Sequence, residues 1–505
     1  MSNVRSCILP TTCFLIAIGL ISSCQSYEGH SDQVGPREKA RRDVLFIAID
    51  DLNTWAGVSG TQSRSNTPNL DALAQRGMRF TNAHAPASAC MPSRTAILTG
   101  VSPFNSGHYT QVGDWRDNPR LEGVTTLPRL FRNHGYETRG AGKLFHAHTY
   151  ILRGFQGQQD KTAWDAYFPS LERQLPDEVF PAASDTEADA VGGGISTGHF
   201  DFAPTVTTDA GMGDGQVVDW VIQQIAGEAE GPRFYSAGLY RPHLPWYVPQ
   251  KYFDLHPLEG IELPPYLAGD LEDVPAAFAE LIGAEPDLDR DTMAWVQSQG
   301  ESKWREAIQG YLASVSFADA MVGKLIRALD KSGRAANTII VLWADHGFHL
   351  GKKDLWGKMT FWDETTNVPL IVVAPGITSP GSSSDQVVST QSIYATLAEL
   401  AGLELPHAVD GASLMPLLRE PDRSWDDVAI TTYGEYGNFS VRDDKHRYTI
   451  YADGSEEFYD LNSDPFERTN LAGDQRYQGL KQSLASRIPP AATHAPAIVE
   501  LDESE

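Results

Sequence analysis

Val44-Leu45-Phe46-Ile47-Ala48-Ile49 is an unbroken apolar run, with Asp43 before it and Asp50-Asp51 after it. A strand with one wet face alternates polar and apolar residues. An unbroken run therefore predicts a strand buried on both faces, as in the parallel sheets of α/β proteins. Phe234 to Tyr240, Thr338 to Ala344 and Val368 to Ala374 repeat the pattern, and helical patterns such as Ile308 to Leu329 and Ser389 to Ala401 lie between the runs. Strands alternating with helices predict a three-layer α/β domain, a large, mostly parallel sheet between helices. Thr67-Pro68-Asn69 predicts a short helix through Leu70, Leu73 and Ala74, with Thr67 as N-cap, Pro68 in the first turn and Gly77 as the stop. A second helix is expected after Pro92, carrying Ala96, Ile97 and Leu98 to Gly100.

The domain so defined spans 43–424. Within it, 175–215 is rich in Asp, Gly, Ala and Ser and reads as an inserted surface loop. From about Trp425 the pattern changes to short alternating strands, Val428 to Thr432 and Arg447 to Tyr451, then a helix near Tyr477 to Arg487. Residues 425–505 are therefore expected to form a small α+β subdomain. At the other end, Arg5 precedes an apolar stretch from Ile8 to Ile21, too short to span a bilayer and of signal-peptide length. It ends Ile21-Ser22-Ser23-Cys24, which resembles the lipobox of bacterial lipoprotein signals, so 1–24 is expected to be a signal peptide with a lipid anchor at Cys24. Residues 25–42 are polar and read as a tether. The chain is thus expected to be exported, to the periplasm or the cell surface, touching membrane only through that anchor.

Three of the 4 cysteines lie in the leader, so processing leaves Cys90 as the one thiol of the body and no internal disulfide can form. A lone thiol in an exported domain calls for an explanation. The balance of 40 Lys+Arg against 66 Asp+Glu, a formal charge of −26, excludes nucleic acid or an anionic membrane surface as the main partner, because both need a basic field.

Two of the predicted strands run into acidic residues: Asp50-Asp51 after the first, Asp345-His346 after the third. Ligands of open α/β sheets bind at the carboxyl ends of the strands. Three carboxylates in one crevice repel unless a cation neutralises them, and oxygen donors favour a hard ion such as Ca²⁺ or Mg²⁺. Against this, an aspartate at a strand end often only caps the next turn. For two such ends the two readings are about even.

Cys90 decides between them. Cys90-Met91-Pro92-Ser93-Arg94, followed by Thr95-Ala96-Ile97-Leu98-Thr99-Gly100, resembles the sulfatase signature without departure. The resemblance extends to Asp50-Asp51, Thr67-Pro68-Asn69-Leu70-Asp71, Gly142-Lys143, Asp345-His346-Gly347 and Asp464-Pro465-Glu467-Asn470-Leu471. These are similar to the type I sulfatases of the alkaline-phosphatase superfamily and, within them, to iduronate-2-sulfatase and its bacterial relatives. The narrower likeness rests on Gly142-Lys143-Leu144-Phe145-His146, Arg241-Pro242-His243-Leu244-Pro245 and His346. Arg241 departs from the lysine usual there, which keeps the charge and changes the hydrogen-bond geometry.

The resemblance implies an alkaline-phosphatase-like fold, and a sulfuric ester hydrolase in which a maturation enzyme oxidises Cys90 to formylglycine. It implies Ca²⁺ held by Asp50, Asp51, Asp345 and His346 with residue 90. Arg94 is implied beside the nucleophile, Lys143 and Lys358 as grips on the sulfate, His243 as general acid and His146 as general base. The implied substrate is a sulfated polysaccharide or oligosaccharide. A phosphate-ester or phosphonate hydrolase of the same superfamily, or a glycan-binding surface lipoprotein without turnover, are the alternatives. Trp115, Trp246 and Phe348 are open to either packing or sugar stacking.

Overall fold

The computed structural model describes residues 41–57, 64–147, 157–178, 200–228, 230–283 and 290–490. The leader with Cys24, most of the 25–42 tether, residues 179–199 of the expected loop and the last fifteen residues lie outside the described ones.

The core sheet has eight strands: β1 (Asp43–Ile49), β2 (Met78–Phe80), β3 (Glu137–Gly142), β4 (Ala166–Phe168), β5 (Arg233–Leu239), β6 (Thr338–Ala344), β7 (Leu370–Val373) and β8 (Ser382–Ser384), in the order β8-β2-β7-β6-β1-β5-β3-β4. Only β7 runs against its neighbours; β6, β1, β5, β3 and β4 are all parallel. The mixed, mostly parallel sheet is the one expected. The unbroken apolar run of β1 is explained by its two faces. Leu45, Ile47 and Ile49 enter one core and Val44, Phe46 and Ala48 the other.

Helices cover both faces. On one side lie α1 (Pro68–Ala74), α3 (Gly213–Ala226) and the 31-residue α4 (Glu301–Lys331), whose Ile308, Tyr311, Leu312 and Val315 pack with Ile47 and Ile49. On the other lie α2 (Cys90–Thr99) and α5 (Ile393–Ala401). Helix α2 starts at Cys90, two residues earlier than Pro92 suggests, and stops at Gly100 in the left-handed conformation, φ 73°. Pro92 sits in its first turn, where its missing N–H costs nothing.

Helix α1 occupies the expected span, but Thr67 does not cap it through its side chain. Its hydroxyl instead accepts from Gly57 N at 3.0 Å. The orphan N–H groups of Asn69 and Leu70 donate to Asp319 Oδ1 of α4 at 2.9 and 2.7 Å, so the cap comes from another element. The expected loop is broken by regular elements: Phe202–Thr205 is a strand parallel to Trp246–Pro249, and α3 begins at Gly213.

The C-terminal part forms a separate antiparallel sheet, β9 (Ala429–Thr432), β10 (Phe439–Arg442), β11 (His446–Ile450) and β12 (Glu456–Asp460), in sequence order. Helix α6 (Gln478–Ala485) closes one face through Leu484 against Val441, Tyr448 and Phe458. The other face meets the body through Tyr433, Tyr451 and Tyr459 against Phe361 and Trp362. No helix among the described residues is long and apolar enough to cross a membrane.

Candidate active site

Register places the site. Ile49 of β1 lies level with Leu239 of β5 and Ala344 of β6, and Gly238 of β5 lies level with Gly142 of β3. The residues that leave these strands, Asp50-Asp51, Tyr240, Asp345-His346 and Lys143, therefore emerge side by side at one carboxyl edge. Two glycines permit this crowding. A Cβ at Gly142 would lie 2.0 Å from the Gly238 carbonyl oxygen, and one at Gly238 would lie 2.3 Å from the carbonyl carbon of Lys143. Asp51 itself is held at φ 56°, a left-handed backbone uncommon for a non-glycine residue and costly to maintain.

Helix α2 points its first residue into this edge. Cys90 is fully buried, and its Sγ lies 3.2 Å from His346 Nε2, 3.1 Å from Lys358 Nζ and 4.0 Å from Lys143 Nζ. One helical turn on, Arg94 is equally buried and spreads its guanidinium over three strand ends. Its Nε donates to Asp345 Oδ2 at 2.7 Å, Nη2 to Asp50 Oδ1 at 3.1 Å, and Nη1 to the carbonyls of Lys143 and Leu144. Ser93 Oγ donates to the Asp345 carbonyl at 2.6 Å and anchors the helix to the end of β6. Lys358 follows the short strand Trp356–Gly357 and donates to Asp51 Oδ1 at 2.9 Å, and Lys143 pairs with Asp50.

The charges divide unevenly. Burial would raise Asp50, but Lys143, Arg94 and His243 outweigh it and hold its carboxyl well below the usual range. Asp51 is raised by burial and by the neighbouring Asp50 and Asp345, despite Lys358. Burial and Asp50 push the Cys90 thiol up; Lys143, Lys358 and His346 pull harder and bring it down to about 7. Burial and the charge of Lys143 hold His146 well below the usual histidine range, so it is neutral at pH 7. His243 Nδ1 donates to the Leu244 carbonyl at 2.7 Å, so in the neutral ring Nδ1 carries the proton. His146 and His243 both act electrostatically on Asp50's surroundings: His146 feels Lys143, Asp50 and Lys358, and His243 lowers Asp50.

One oxygen each of Asp50 and Asp51, Cys90 Sγ and a ring nitrogen of His346 lie within 4.8 Å of one another. Two carboxylates, a soft sulfur and an imidazole suit a divalent cation, and the mutual repulsion that raises Asp51 is what such a cation relieves. His346 Nδ1 donates to the Gly347 carbonyl at 3.0 Å, fixing the tautomer that turns Nε2 to the group. Asp345 borders it, with Oδ1 accepting from the backbone N–H groups of Asp51 and His346 at 3.2 and 3.0 Å and Oδ2 taken by Arg94.

Sequence reasoning missed the supports of the site. Tyr311 of α4 donates to the Asp51 carbonyl at 2.9 Å and accepts from Asn53 N at 2.9 Å. Asn53 in turn donates to the Phe348 carbonyl at 3.1 Å, so the Asp51 turn is locked between β1 and β6. Tyr240 places its ring 4.7 Å beneath the Lys143 ammonium, a cation–π contact. Trp115 stacks on Phe145 at 4.8 Å, and Trp246 packs with Tyr311 and Phe348 at 5.5 and 5.9 Å. All three of the aromatic residues left open by the sequence are buried packing.

Comparison with known proteins gives one answer. Residues 42–403 match the sulfatase family, and residues 351–493 match the C-terminal region of N-sulphoglucosamine sulphohydrolase. A sulfatase of Formosa agariphila is 36% identical over 95% of this chain and 92% of its own. Human iduronate 2-sulfatase is 27% identical over 93% of this chain and 98% of its own. In fold, the chain is similar to a structure solved in complex with its substrate D-glucosamine-2-N,6-O-disulfate, with a TM-score of 0.68 at 21% identity, over 88% of this chain and 96% of that one.

Proposed function

This chain belongs to the sulfatase family and is a sulfuric ester hydrolase, and from that premise we propose that it removes sulfate from a sulfated polysaccharide or oligosaccharide. The observation that carries the reading is the position of Cys90, within reach of the Lys358 and Lys143 ammonium groups and of the carboxylate-imidazole group of Asp50, Asp51 and His346. A sulfate ester is already anionic, so attack at its sulfur needs cations around the terminal oxygens. Relatives named for iduronate 2-sulfate and a fold neighbour bound to a sulfated glucosamine support a sugar substrate.

In this proposal Asp50, Asp51, Asp345 and His346 would hold Ca²⁺ together with residue 90, and formylglycine made from Cys90 by a maturation enzyme would supply the nucleophile as its hydrate. Lys143 and Lys358 grip the sulfate oxygens beside residue 90. Arg94 keeps the carboxylates of Asp50 and Asp345 and the Lys143 backbone in place, a role broader than the expected one beside the nucleophile. A sugar alkoxide is a poor leaving group, and His243 Nε2 gives it a proton. His146, neutral because it is buried beside Lys143, takes the proton whose loss lets sulfate depart. We further propose, from Ile21-Ser22-Ser23-Cys24, that the chain is exported and lipid-anchored at Cys24. Incorporation of labelled palmitate, lost in Cys24→Ala, is the expected result.

The test is inorganic sulfate release from a panel of sulfated glycans by enzyme co-expressed with a formylglycine-generating enzyme, with and without chelator, against Cys90→Ala. Chelator-sensitive release, absent in the variant, is expected. Release of phosphate or phosphonate from monoesters with no sulfate release would overturn the reading.

A further inference from the structure

Among the described residues, five that are not glycine have a left-handed backbone, and three of them, Lys353, Asp354 and Met359, lie within five residues of Lys358. Such backbones are costly and persist only where the surroundings enforce them, most often at working sites. Met359 follows Lys358 directly, and its N–H donates at 3.0 Å to the carbonyl of Ser88, close in sequence to Cys90. Lys353 and Asp354 lie at the tip of the hairpin that delivers Lys358.

In that hairpin His349-Leu350 runs antiparallel to Trp356-Gly357, with Leu350 opposite Trp356 and His349 opposite Gly357. The loop closes through Gly351 N to the Leu355 carbonyl at 2.9 Å and Leu355 N to the Lys352 carbonyl at 3.1 Å. Lys353 and Asp354 are therefore the two central residues of the turn from Lys352 to Leu355, with φ 55° and 52°. A turn with both central φ positive suits Asn-Gly and is disfavoured for Lys-Asp. Its shape is imposed from outside.

Remote segments impose it. Lys353, its side chain 2% exposed, donates through Nζ to Asp270 Oδ1 at 3.2 Å and to the Glu467 carbonyl, with the Trp362 ring 4.5 Å away. Asp354 Oδ1 accepts from Tyr266 Oη at 2.8 Å and from Gln297 Nε2 at 3.2 Å. A lysine that only had to cover apolar surface would keep its ammonium in water, and burying that charge is costly unless it is paired. The register of a hairpin is set by its turn and by the side chains that must be buried. Trp356, packed on Phe200 and Trp246 at 5.4 and 6.0 Å, decides which face of the arm turns inward, and the turn decides how much chain is let out before it. Lys358 comes directly after the paired stretch, with Nζ 3.1 Å from Cys90 Sγ and 2.9 Å from Asp51 Oδ1.

We propose that Lys353 and Asp354 are positioning residues for Lys358: ties at the hairpin tip hold a turn that its own residues disfavour, and the turn sets where the Lys358 ammonium meets the sulfate. The inference rests on the reading of Lys358 as a grip on the sulfate. The rival is that Lys353 only tethers the segment around Glu467 to the body, which would cost stability when lost and leave Lys358 where it is.

The experiment uses matured, metal-replete enzyme with 4-nitrophenyl sulfate as probe, and reads kcat/KM and Tm for Lys353→Met, Lys358→Ala and the two combined. Lys353→Met is expected to lower kcat/KM roughly tenfold in the wild-type background and by less than about twofold in the Lys358→Ala background, because a residue that acts through Lys358 has nothing to act on once it is gone. Lys353→Asn combined with Asp354→Gly writes the turn into the local sequence, and is expected to return kcat/KM to within about threefold of wild type while Tm stays as low as in Lys353→Met. Asp354→Ala, at a partly exposed residue, carries the same cycle if Lys353→Met does not fold. Equal falls in both backgrounds, or a lower Tm with no fall in rate, mark the tip as a tether and overturn the proposal. An Asn-Gly variant no faster than Lys353→Met also overturns it, since the shape of the turn is then not what Lys358 depends on. If Lys358→Ala itself is as fast as wild type, the sulfate-grip reading fails, and this inference with it.

Discussion

Glu467 belongs to the C-terminal Asp464-Pro465-Phe466-Glu467 segment, yet its carboxylate reaches back to the loop that follows Lys358. Oε1 pairs with Arg447 Nε, and Oε2 accepts from Asp363 N at 2.8 Å, at the start of the short helix Asp363–Thr366. Arg447 also pairs with Asp363 and donates to Ser440 Oγ at 3.2 Å, and the Arg447 and Glu467 side chains are both 1% exposed. Glu467→Ala would leave a buried guanidinium with one carboxylate where it had two, and a backbone N–H without an acceptor. Breaking a buried pair costs about 3–5 kcal/mol, here toward the low end because Asp363 remains, and the orphaned N–H adds about 1. The sum is about 4 kcal/mol. Unfolding entropy of about 2.1 cal/mol/K per residue over roughly 450 residues gives about 1 kcal/mol per degree, so Tm is expected to fall by about 4 °C. Differential scanning calorimetry at pH 7, with Glu467→Gln and a double-mutant cycle through Arg447→Met, measures it. Glu467→Gln, which keeps the acceptor for Asp363 N, is expected to lose less. A fall under about 1 °C in Glu467→Ala, or a coupling with Arg447 below about 0.5 kcal/mol, would refute the argument.

Other outcomes follow from the same geometry. Gly238→Ala places a methyl against the Lys143 backbone, and kcat is expected to drop roughly a hundredfold through displacement of that ammonium, as steady-state kinetics would show, with Tm lowered by about 1–3 °C. Lys358→Ala removes an ammonium beside residue 90, and sulfate release is expected to fall by about 10²–10³ in kcat. Ca²⁺ at about a hundred times its Kd should stabilise by about 2.7 kcal/mol, or about 3 °C, and Asp51→Asn should abolish that gain in a thermal-shift titration. Burial lowers His349 to about 4, below the 6.5 of an unfolded histidine, so its contribution is fully present above pH 6.5 and is lost as pH falls toward 4. Wild type should lose about 2 kcal/mol from this group between pH 7 and pH 5, and His349→Gln should lack that component of the Tm profile.

The strands that flank the site were legible because a doubly buried strand carries a nearly unbroken apolar run, as in Ile339 to Ala344. The chemistry was legible for a related reason: acidic residues immediately after such strands, Asp50-Asp51 and Asp345-His346, have few places to go but the sheet's edge. Phe202–Thr205 escaped notice because Pro204 sits in a strand that pairs on one side only, where a missing N–H is tolerated. β12 escaped because it opens on Glu456-Glu457, which reads as surface. Glu457 is instead buried, accepting from Tyr459 at 2.6 Å and from Trp362 Nε1 at 3.1 Å. Tyr311 and Asp319 were invisible as site or cap residues because their partners lie 260 and 249 residues away, and local spacing carries no trace of such pairs.

The long helix α4 ties together places remote in sequence. Its Tyr311 hydroxyl fixes the Asp51 turn, and two turns later its Asp319 starts α1. One inserted or deleted residue between them would rotate every following side chain by about 100° and shift it by about 1.5 Å, breaking one of these attachments. Length changes are therefore barred from the middle of α4, and variation in chain length is expected instead at exposed turns, such as those at Gly123 and Gly454, where an added Cβ meets no atom within 4 Å.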